Sequence, residues 1–388
     1  MSAKLKICVI TGTRAEYGLL KILLKKFKES DKFELQLVVT GTHLSKKYGE
    51  TYKEIESDSF YINKKIDLDI TSDTPLALTR SASLGLLGFS EAFHQIKPDL
   101  ILVLGDRFEI LSAVIAAMFL KIPIVHLHGG ELSEGSMDEG IRHSITKFSH
   151  LHFVANEIYK NRVIQLGENP KTVFNVGGLG VDAIQNITLL NKSELEKSLG
   201  CIFLDKSLLI TFHPATLEGD SAYLQMSEIL HALANLTDTT LIFTMPNVDM
   251  HSQGIFDLIE IFVSQHVNAF SFPSLGQLRY LSCIAQVDAV LGNSSSGLTE
   301  VPSFKKPTIN IGERQKGRIQ ACSVINCPPI SSEIISAIKK SYSNKFRANL
   351  NKLENPYGSG GASRKIVDIL SSVDFRDLIK KKFYDLKI

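Results

Sequence analysis

Three clusters of ionisable side chains lie close together in residues 99–144. Residues 105–107 read Gly-Asp-Arg, residues 126–131 read His-Leu-His-Gly-Gly-Glu, and residues 138–143 read Asp-Glu-Gly-Ile-Arg-His. The first two clusters each follow a short apolar run, and the third begins an amphipathic stretch. Carboxylates and imidazoles are the usual proton-transfer groups of enzymes. The segment therefore predicts an acid/base site.

The second cluster also fits a metal site, because His126, His128 and Glu131 are all metal-binding residue types. Residues two apart on a strand share a face, so two imidazoles and one carboxylate could reach a single zinc ion. A catalytic zinc site needs a further fixed ligand, for which His213 is the obvious distant candidate. We prefer acid/base use of the same groups and expect neither a metal nor another cofactor.

The third cluster begins a predicted helix at Asp138 and Glu139. Arg142 and His143 follow one turn later, and the pairs Asp138–Arg142 and Glu139–His143 would be ordinary i,i+4 helix stabilisation. A functional role is attractive because the other two clusters lie at the ends of neighbouring strands, which is where open α/β sheets build their sites.

Residues 12–18 join a predicted strand to a helix, where free backbone N–H groups and the helix dipole favour an anion. The loop matches neither the dinucleotide-binding glycine fingerprint nor a Walker loop. Arg14 is suitably placed for a phosphate, although a simple pairing with Glu16 explains it equally well.

Residues 292–297, Gly-Asn-Ser-Ser-Ser-Gly, repeat this arrangement in the second half of the chain. Three hydroxyl groups could bind a phosphate, and Glu300 one turn later could bind ribose hydroxyls. The alternative is a serine N-cap, but a cap needs one serine rather than three, so we favour a ligand. Arg314 and Arg318 add positive charge nearby in the sequence.

Short β-branched runs alternate with amphipathic stretches along the whole chain, which predicts two doubly wound α/β halves with mostly parallel sheets. A length of 388 residues suits two domains. We place the first domain at 1–180 and the second at 181–370, and expect the tail 371–388 to pack back on the first. Other predicted elements are a helix over 43–56, a strand near Tyr61, a helix over 249–264, a closing strand near Thr308, a helix from Ser363 and an amphipathic segment over 375–386.

The charge balance argues against two classes of protein. With 43 basic and 41 acidic residues the net charge is +2, so the chain lacks the unbalanced positive surface that nucleic acid or a membrane surface requires. We interpret the basic run Lys380–Lys382 as a solvated helix end. Five scattered cysteines, the absence of a signal-peptide layout and the absence of a membrane-length apolar run predict a cytoplasmic protein.

Taken together and in order, these stretches resemble the UDP-N-acetylglucosamine 2-epimerases, most closely the hydrolysing branch that supplies N-acetylmannosamine for sialic-acid synthesis. The resemblance covers nearly the whole length and is carried by residues 11–18, 105–109, 126–131, 138–147, 212–216, 292–297 and 309–318. It implies an α/β GT-B architecture, with two Rossmann-like domains whose parallel sheets face a central cleft for the nucleotide sugar.

The resemblance also implies the chemistry. Such enzymes are understood to remove the C2 proton while the C1–O bond to the diphosphate breaks, which gives a glycal and UDP. In the hydrolysing branch water then adds at C1, and a proton returns to the opposite face of C2. Proton transfer on two faces requires at least two acid/base groups, and departure of UDP requires a cationic, hydroxyl-lined binding site.

By resemblance, Asp106 and Asp138 match catalytic carboxylates, and His213 matches the histidine near the diphosphate and the sugar. The residues that match UDP contacts are Arg14, Arg107, Ser295, Ser296, Gly297, Glu300 and Arg314. The chain departs from many relatives at His128, where they carry a catalytic glutamate, so either His128 or Glu131 takes over that proton transfer.

Leu19 replaces a helix lysine of the non-hydrolysing enzymes, which favours the hydrolysing branch. The leading hypothesis is a hydrolysing UDP-N-acetylglucosamine 2-epimerase that binds no nucleic acid and no membrane. The alternatives are the same reaction on UDP-2,4-diacetamido-2,4,6-trideoxyglucose in a legionaminic-acid-type pathway, a non-hydrolysing epimerase, a GT-B glycosyltransferase, or a non-catalytic sensor. The family also implies a homodimer or a dimer of dimers.

Overall fold

The computed structural model of the chain describes residues 4–70, 72, 74–134, 137–214, 221–246, 252–375 and 378–386. These residues form two compact units, each built on its own sheet. The first unit consists of Met1–Glu131, Asp138–Ala183 and Gly360–Ile388, and the second consists of Leu132–Met137 and Ile184–Ser359.

The sheet of the first unit is entirely parallel. Its strands within the described residues are β1 (Leu5–Thr11), β2 (Phe33–Thr40), β3 (Lys64–Ile66), β4 (Leu100–Leu104), β5 (Ile124–Leu127), β6 (Leu151–Val154) and β7 (Val173–Asn175), in the order β3-β2-β1-β4-β5-β6-β7. The helices along this part of the chain are α1 (Arg14–Glu29), α2 (Tyr52–Ser57), α3 (Pro75–Ile96), α4 (Phe108–Phe119), α5 (Asp138–Phe148), α6 (Glu157–Gln165) and α7 (Leu179–Gln185).

Alternation along β1 explains why both faces of this sheet are covered. Val9 packs into a cluster with Leu20 of α1, whereas Ile10 packs into a cluster with Phe89 of α3 and Ala113 of α4. Successive side chains of a strand point to opposite faces, so the continuous apolar run Ile7–Ile10 of β1 must be covered on both.

The second unit repeats this architecture with a parallel sheet of its own. Its described strands are β8 (Lys206–Thr211), β9 (Thr239–Thr244), β10 (Ala269–Phe272), β11 (Ala289–Gly292), β12 (Thr308–Ile311) and β13 (Val324–Cys327), in the order β10-β9-β8-β11-β12-β13. Its helices are α8 (Lys192–Leu199), α9 (Ser221–Leu233), α10 (Ser252–Gln265), α11 (Gly276–Gln286), α12 (Ser296–Thr299), α13 (Ser331–Tyr342) and α14 (Asn344–Leu350), and α15 (Ala362–Leu370) follows in the first unit.

The strand order reverses direction once in each sheet. The reversal lies between β1 and β4 in the first sheet and between β8 and β11 in the second. Open α/β sheets bind ligands at the carboxyl ends of the strands beside such a reversal. The predicted α/β class with two Rossmann-like parallel sheets is confirmed, and the order directs attention to the ends of these strands.

Some predicted elements differ from the structure. The stretch predicted as one helix over 43–56 forms two 3₁₀ turns, Gly41–Leu44 and Lys46–Tyr48, before α2 begins at Tyr52. Gly49 lies between the second turn and α2. Its left-handed conformation, with φ of +83°, does not allow an α-helix to continue through it. The strand expected near Tyr61 begins at Lys64, and Tyr61 is 80% exposed.

The end of the chain also differs from the prediction. The carboxylate of Asp182 accepts the backbone N–H groups of Gly361 at 2.8 Å and Ser363 at 2.9 Å. Helix α15 buries Ile366 and Leu370 in the core of the first unit. The structure therefore assigns Gly360 onward to the first unit, whereas the sequence analysis kept residues up to 370 in the second.

Three elements of the second unit, namely β13, α13 and α14, lie beyond the strand near Thr308 at which the predicted series closed. The predicted amphipathic segment is not helical over its described residues 378–386. The predicted helix start at Asp249 lies outside the described residues, and α10 is described from Ser252. Within the described chain, no helix combines the length and the apolar character that a membrane span needs.

Candidate active site

The buried guanidinium of Arg142 joins two of the ionisable clusters in the first unit. Arg142 lies on α5 and is 2% exposed. Its Nη1 donates to the carbonyl oxygen of His128 at 3.1 Å, and its Nη2 donates to Oδ2 of Asp106. The end of β4, the end of β5 and the first turns of α5 are thereby held together.

Carboxylates surround this cation. Burial by itself lowers the pKa of Arg142, but Asp106, Glu131, Asp138 and Glu139 together outweigh burial and raise it. The charge of Arg142 therefore persists at any working pH. Arg142 compensates a group of carboxylates that would otherwise repel one another. The predicted pair of Glu139 with His143 is present at 3.0 Å.

His128 lies just beyond β5 with φ of +63°, a left-handed conformation that is unusual for a residue other than glycine. Its Nε2 accepts the backbone N–H of Leu179 at 3.3 Å, and its Nδ1 lies 2.9 Å from Oε1 of Glu131. An accepting Nε2 places the proton of the neutral ring on Nδ1, next to the Glu131 carboxylate.

His126 points elsewhere, which removes the geometry on which the zinc alternative depended. Its ring nitrogens lie 2.9 Å from the carbonyl oxygen of Gly105 and 3.2 Å from the hydroxyl of Thr146. Burial lowers the pKa of His126 to about 3. Because β5 ends at Leu127, the two histidines do not share a strand face. No group of three or more His, Cys, Asp or Glu side chains in the described part of the chain is arranged to hold a metal ion.

The loop over residues 12–18, where the sequence predicts an anion, is ordered by its own side chains. Thr13 caps α1 by accepting the N–H of Glu16 at 3.2 Å, and Glu16 Oε2 accepts the N–H of Gly12 at 2.7 Å. Glu16 therefore turns inward onto the loop, while Arg14 occupies the first position of α1 and is half-buried.

A second carboxylate lies beneath the same loop. Glu109 Oε1 accepts Nε of Arg107 at 2.7 Å, and Glu109 is fully buried. Burial raises the pKa of Glu16 to about 8, and repulsion from Glu109 adds to this, whereas the Arg107 cation opposes it. The pair Arg107–Glu109 fixes the orientation of one arginine that the resemblance assigns to UDP.

In the second unit, Asn293 connects residues that follow three strands, through its side chain and its backbone carbonyl. Asn293 Oδ1 accepts the N–H of His213 at 2.7 Å, and Asn293 Nδ2 donates to the carbonyl oxygen of His213 at 2.8 Å. The Asn293 carbonyl oxygen accepts Nη1 of Arg314 at 3.1 Å and Nε2 of Gln315 at 2.7 Å. His213 and Arg314, predicted separately, are thus held by one asparagine.

His213 is buried close to a cation. Burial lowers its pKa to about 3, and the Arg314 guanidinium lowers it further. The imidazole is therefore neutral at working pH, and it can donate or accept a hydrogen bond without carrying a charge. Residues Ala215 and Thr216 of the motif that follows it lie outside the described residues.

The turn after β11 requires glycine at both ends. Gly292 has φ of +134°, and a Cβ there would lie 1.9 Å from the carbonyl oxygen of Thr211. A Cβ at Gly297 would lie 2.7 Å from Cγ2 of Thr308. Ser295 stands at the N-cap of α12 but makes no side-chain cap bond, so the serine N-cap alternative is not realised.

Ser296 and Glu300 lie at the two ends of α12, which is a single short turn. Ser296 is buried, and Glu300 is half-buried one turn later. Burial raises the pKa of Glu300, and the Ser296 hydroxyl partly opposes this.

Comparison with known proteins identifies the family. Residues 25–371 match the model of the family described as UDP-N-acetylglucosamine 2-epimerase. A protein named GDP/UDP-N,N'-diacetylbacillosamine 2-epimerase (hydrolyzing), from Campylobacter jejuni, is 42% identical over 99% of this chain and 100% of its own length. The chain belongs to the UDP-N-acetylglucosamine 2-epimerase family.

Two further similarities agree with this membership. The polysialic acid biosynthesis protein P7 of Escherichia coli is 41% identical over 98% of this chain and 96% of its own length. The crystal structure of the Neisseria meningitidis UDP-GlcNAc 2-epimerase bound to UDP-GlcNAc has a TM-score of 0.81 at 21% identity, covering 94% of this chain and 99% of that chain. This structural similarity shows that the two chains share a fold.

The structure adds residues that the sequence analysis did not select. Arg142 was weighed as a member of the third cluster without a role of its own, and Asn293 and Glu109 were not selected as site residues. Asn293 had one available signal, because it directly follows the final glycine of β11 beside the point where the strand order reverses. Arg142 had a weaker signal, its position one turn after two acidic residues.

Proposed function

We propose that this family member is a hydrolysing 2-epimerase that converts a UDP-2-acetamido sugar and water to UDP and the free 2-epimeric sugar. The observation that carries the proposal is the arrangement around Arg142, where Asp106, Glu131 and Asp138 surround one buried cation at the ends of β4 and β5 and the start of α5. Acid/base groups from three separate elements suit a reaction that needs proton transfer on two faces of one carbon.

The reaction proceeds in two balanced steps. In the first, a carboxylate takes the proton from C2, the C–H electron pair forms the C1–C2 double bond, and the C1–O bond breaks to release UDP. In the second, the oxygen of water adds to C1 while a carboxylate takes the proton that the water loses, and a carboxylic acid delivers a proton to the opposite face of C2. We assign these proton transfers to Asp106, Asp138 and Glu131.

We assign to Glu131 the proton transfer that the sequence left open between His128 and Glu131. Both ring nitrogens of His128 are engaged, one by the N–H of Leu179 and the other beside the Glu131 carboxylate. His128 therefore acts as a positioning residue, and the carboxylate of Glu131 meets the substrate.

The remaining selected residues are assigned to the leaving group. These residues, which match UDP contacts by resemblance, are Arg14, Arg107, Ser295, Ser296, Gly297, Glu300 and Arg314. Negative charge develops on the diphosphate as the C1–O bond breaks, so fixed cations and hydroxyls that meet it lower the barrier. His213, which is neutral, supplies a hydrogen bond rather than a charge.

The sugar remains a choice between two candidates. The relative at 42% identity is named for diacetylbacillosamine, which is the 2,4-diacetamido-2,4,6-trideoxyglucose weighed from the sequence, and this favours that sugar. The relative at 41% identity is named for polysialic acid biosynthesis, which favours N-acetylglucosamine and formation of N-acetylmannosamine for a sialic-acid or capsule glycan. Because the first name includes GDP, the nucleotide must also be tested.

Product analysis in deuterated water tests the proposal. The enzyme is incubated with UDP-N-acetylglucosamine, UDP-N,N'-diacetylbacillosamine and the GDP form of the latter, without added metal and with a chelator. We expect UDP or GDP, a free 2-epimeric sugar and deuterium at C2 from one of them. Formation of the 2-epimeric nucleotide sugar, without free sugar, would indicate a non-hydrolysing epimerase. Transfer of the sugar to an acceptor with C2 unaltered would indicate a glycosyltransferase.

We also propose that the chain forms a homodimer in the cytoplasm. Helices α3 and α4 pack against each other and expose large apolar side chains, including Leu87 at 60% and Phe119 at 70% exposure. All five cysteines are free thiols, which suits a reducing compartment. Sedimentation of the wild type against Leu87→Lys and Phe119→Lys tests the dimer, and an unchanged monomeric mass in all three would refute it.

A further inference from the structure

His128 is held in a strained backbone conformation by several elements of the first unit. Its φ of +63° is uncommon for a residue other than glycine. The N–H of His128 donates to the carbonyl oxygen of Phe153 on β6 at 2.9 Å, and its own carbonyl oxygen accepts Nη1 of Arg142 on α5 at 3.1 Å. A strained conformation persists only where its surroundings determine it. The backbone of His128 is therefore set by its neighbours.

The side chain of His128 is fixed by a further element, α7. The N–H of Leu179, the first residue of α7, donates to Nε2 of His128 at 3.3 Å. This contact leaves Nδ1 to face the Glu131 carboxylate, whose Oε1 lies 2.9 Å away. Without a donor at Nε2, either ring nitrogen could carry the proton and the ring could turn. The placement of α7 thus decides how His128 meets Glu131.

Helix α7 is in turn held by the beginning of α15. Asp182, three residues after Leu179, accepts the N–H of Gly361 at 2.8 Å with one carboxylate oxygen and the N–H of Ser363 at 2.9 Å with the other. Asp182 is 2% exposed, so these bonds are sheltered from water. One buried carboxylate thereby satisfies two backbone donors at the start of a helix, where such donors lack partners within the helix.

Two weaker contacts join the same elements. Leu179 lies in the apolar cluster that also contains Ala362 of α15. Lys365 Nζ donates to the carbonyl oxygen of Val176, just before α7, at 3.4 Å. Apolar packing has no preferred direction, whereas the two bonds to Asp182 fix the orientation of α7. We therefore expect loss of the Asp182 carboxylate to let α7 shift while its apolar side chains stay buried.

We propose that Asp182 is a positioning residue that holds α7 against α15 and so keeps His128 oriented towards Glu131. The proposal rests on the proposed function, in which Glu131 transfers a proton. All the residues on this path belong to the first unit. Asp182 transfers no proton itself and acts through Leu179 and His128. Displacement of a reacting group by about 1 Å can cost on the order of 10²-fold in rate, so a smaller shift of Glu131 should cost about 10-fold.

Kinetics of Asp182 variants provide the first test. For Asp182→Asn we expect kcat to fall by about 10-fold, whereas KM and the Kd for UDP change little. Asp182→Glu, which keeps the carboxylate, should recover part of the loss. Asp99→Asn is the matched control and should leave kcat unchanged, because Asp99 accepts the N–H of Lys6 at 2.7 Å just before β4, at the opposite end of that strand from Asp106. An unchanged kcat in Asp182→Asn would overturn the proposal.

A double-mutant cycle separates positioning from a general loss of structure. If Asp182 acts through His128, adding Asp182→Asn to His128→Gln should cost little more than His128→Gln alone, because both changes interrupt one path. Losses that multiply in the double variant would show that Asp182 affects kcat by another route, and the proposal would be wrong.

If Asp182→Asn does not fold, Leu179→Pro tests the same path one step later. Proline is tolerated at the first position of a helix and lacks the N–H that His128 accepts. Leu179→Val is the matched control, since valine has as many side-chain carbon atoms as proline and keeps the N–H. We expect kcat of Leu179→Pro to be about 10-fold below that of Leu179→Val. Equal rates in the two variants would contradict the proposal.

Ring ¹⁵N NMR of His128 does not depend on turnover. At about pH 8, above the usual histidine pKa, the wild type should carry the ring proton on Nδ1, and Asp182→Asn should shift it towards Nε2. The same tautomer in both would overturn the positioning role alone, whatever the reaction. The expected shift in an enzyme whose wild type epimerises no sugar would instead refute the proposed function and leave the contacts from Asp182 to His128 supported.

Discussion

Glu131 and His128 form a pair in which we assign the proton transfer to Glu131 and a positioning role to His128. His128 accepts the N–H of Leu179 and faces Glu131 with its other nitrogen. We predict that Glu131→Gln lowers kcat by about 10²- to 10⁴-fold, the usual range for loss of an acid/base group. His128→Gln should cost about 10-fold, because it removes only the orientation of Glu131.

The control for this pair is Glu134→Gln. Glu134 is an exposed carboxylate three residues from Glu131, and its loss should leave kcat nearly unchanged. Steady-state rates of UDP release measure all three variants. A severe loss in His128→Gln together with a mild loss in Glu131→Gln would reverse the assignment of roles.

His213 permits a direct measurement of its environment. Burial and the Arg314 cation hold the pKa of His213 at about 3, so we predict a neutral ring across the working range in the free enzyme. Binding of UDP should raise this pKa, because a nearby anion stabilises the imidazolium. Histidine NMR titration with and without UDP measures both values. Titration of His213 near pH 6.5 in the free enzyme would contradict the prediction.

At this scale, the sequence was most informative where a residue follows a strand or begins a helix. Asp106, Asp138 and His213 were selected for that reason. Arg142 was missed because its helix neighbours already explained it, whereas its guanidinium reaches the carbonyl oxygen of His128 and the carboxylate of Asp106. Such contacts between elements depend on the packing of α5, which no local pattern specifies.

Helix α5 carries Asp138 and Arg142, and the C-terminal tail secures its far end. Lys381 Nζ donates to the carbonyl oxygens of Lys147 and Ser149, each at 2.6 Å, and lies 2.7 Å from Oε2 of Glu168. A cation at the carboxyl end of a helix satisfies free carbonyls and complements the helix dipole.

Glu168 is the centre of this cluster and is 1% exposed. It also accepts Lys147 at 2.6 Å and lies 2.9 Å from Nε2 of His152. The pKa of Glu168 falls to about 2, because these hydrogen bonds and charges outweigh the opposing effect of burial. The carboxylate is therefore ionised under all ordinary conditions and depends on its cations.

We predict that Lys381→Met lowers the free energy of unfolding by roughly 2 kcal/mol, somewhat less than the loss from a fully buried ion pair because Lys381 is partly exposed. It should also reduce kcat, since α5 positions Asp138 and Arg142. Lys380→Met and Lys382→Met serve as matched controls on either side. Urea unfolding and kcat measure the effects, and equal behaviour of all three variants would refute the role of the tail.

The interpretation of Lys380–Lys382 as a solvated helix end was wrong for Lys381. The described tail is not helical, and the N–H of Tyr384 donates to the carbonyl oxygen of Gly167 at 2.9 Å. A basic run looks the same in sequence whether it is solvated or paired. The partner Glu168 is more than two hundred positions away, so only the folded chain reveals it.

On the scale of the whole molecule, the sequence specified the architecture better than its boundaries. The alternation of elements was sufficient to predict two parallel sheets. The assignment of Leu132–Met137 to the second unit and of α15 to the first depends on contacts such as those of Arg318 and Asp182, which link distant positions. Strand β13 was missed because it is short and contains Asn326.

Buried histidines are distributed unevenly between the two units. Burial lowers the pKa of His43 to about 4, of His126 to about 3 and of His150 to about 4, and it also lowers that of His152, all in the first unit. In the second unit, burial and the Arg314 cation lower the pKa of His213. The two units should therefore respond differently to acid.

The direction in which the free energy of unfolding changes with pH follows from proton uptake. Below pH 6.5 the unfolded chain binds protons at these histidines that the folded chain does not, so each lowers the free energy of unfolding by about 1.4 kcal/mol per pH unit as the pH falls towards its folded pKa. Glu16 acts in the opposite direction, because its pKa is raised to about 8 and its stabilising contribution is lost as the pH rises from 4.5 to 8. Four histidines outweigh one carboxyl group.

We therefore predict that acidification from pH 7 to pH 5 destabilises the first unit more than the second. The chain contains no tryptophan, so hydrogen exchange resolved by peptide is the suitable measurement. Peptides from β1, β4 and β5 should lose protection before those from β8 and β11. His43→Gln should reduce the difference, because one titrating group is removed, whereas His94→Gln at an exposed position of α3 should not. Earlier loss of protection in the second unit would show that buried histidines do not control the acid response.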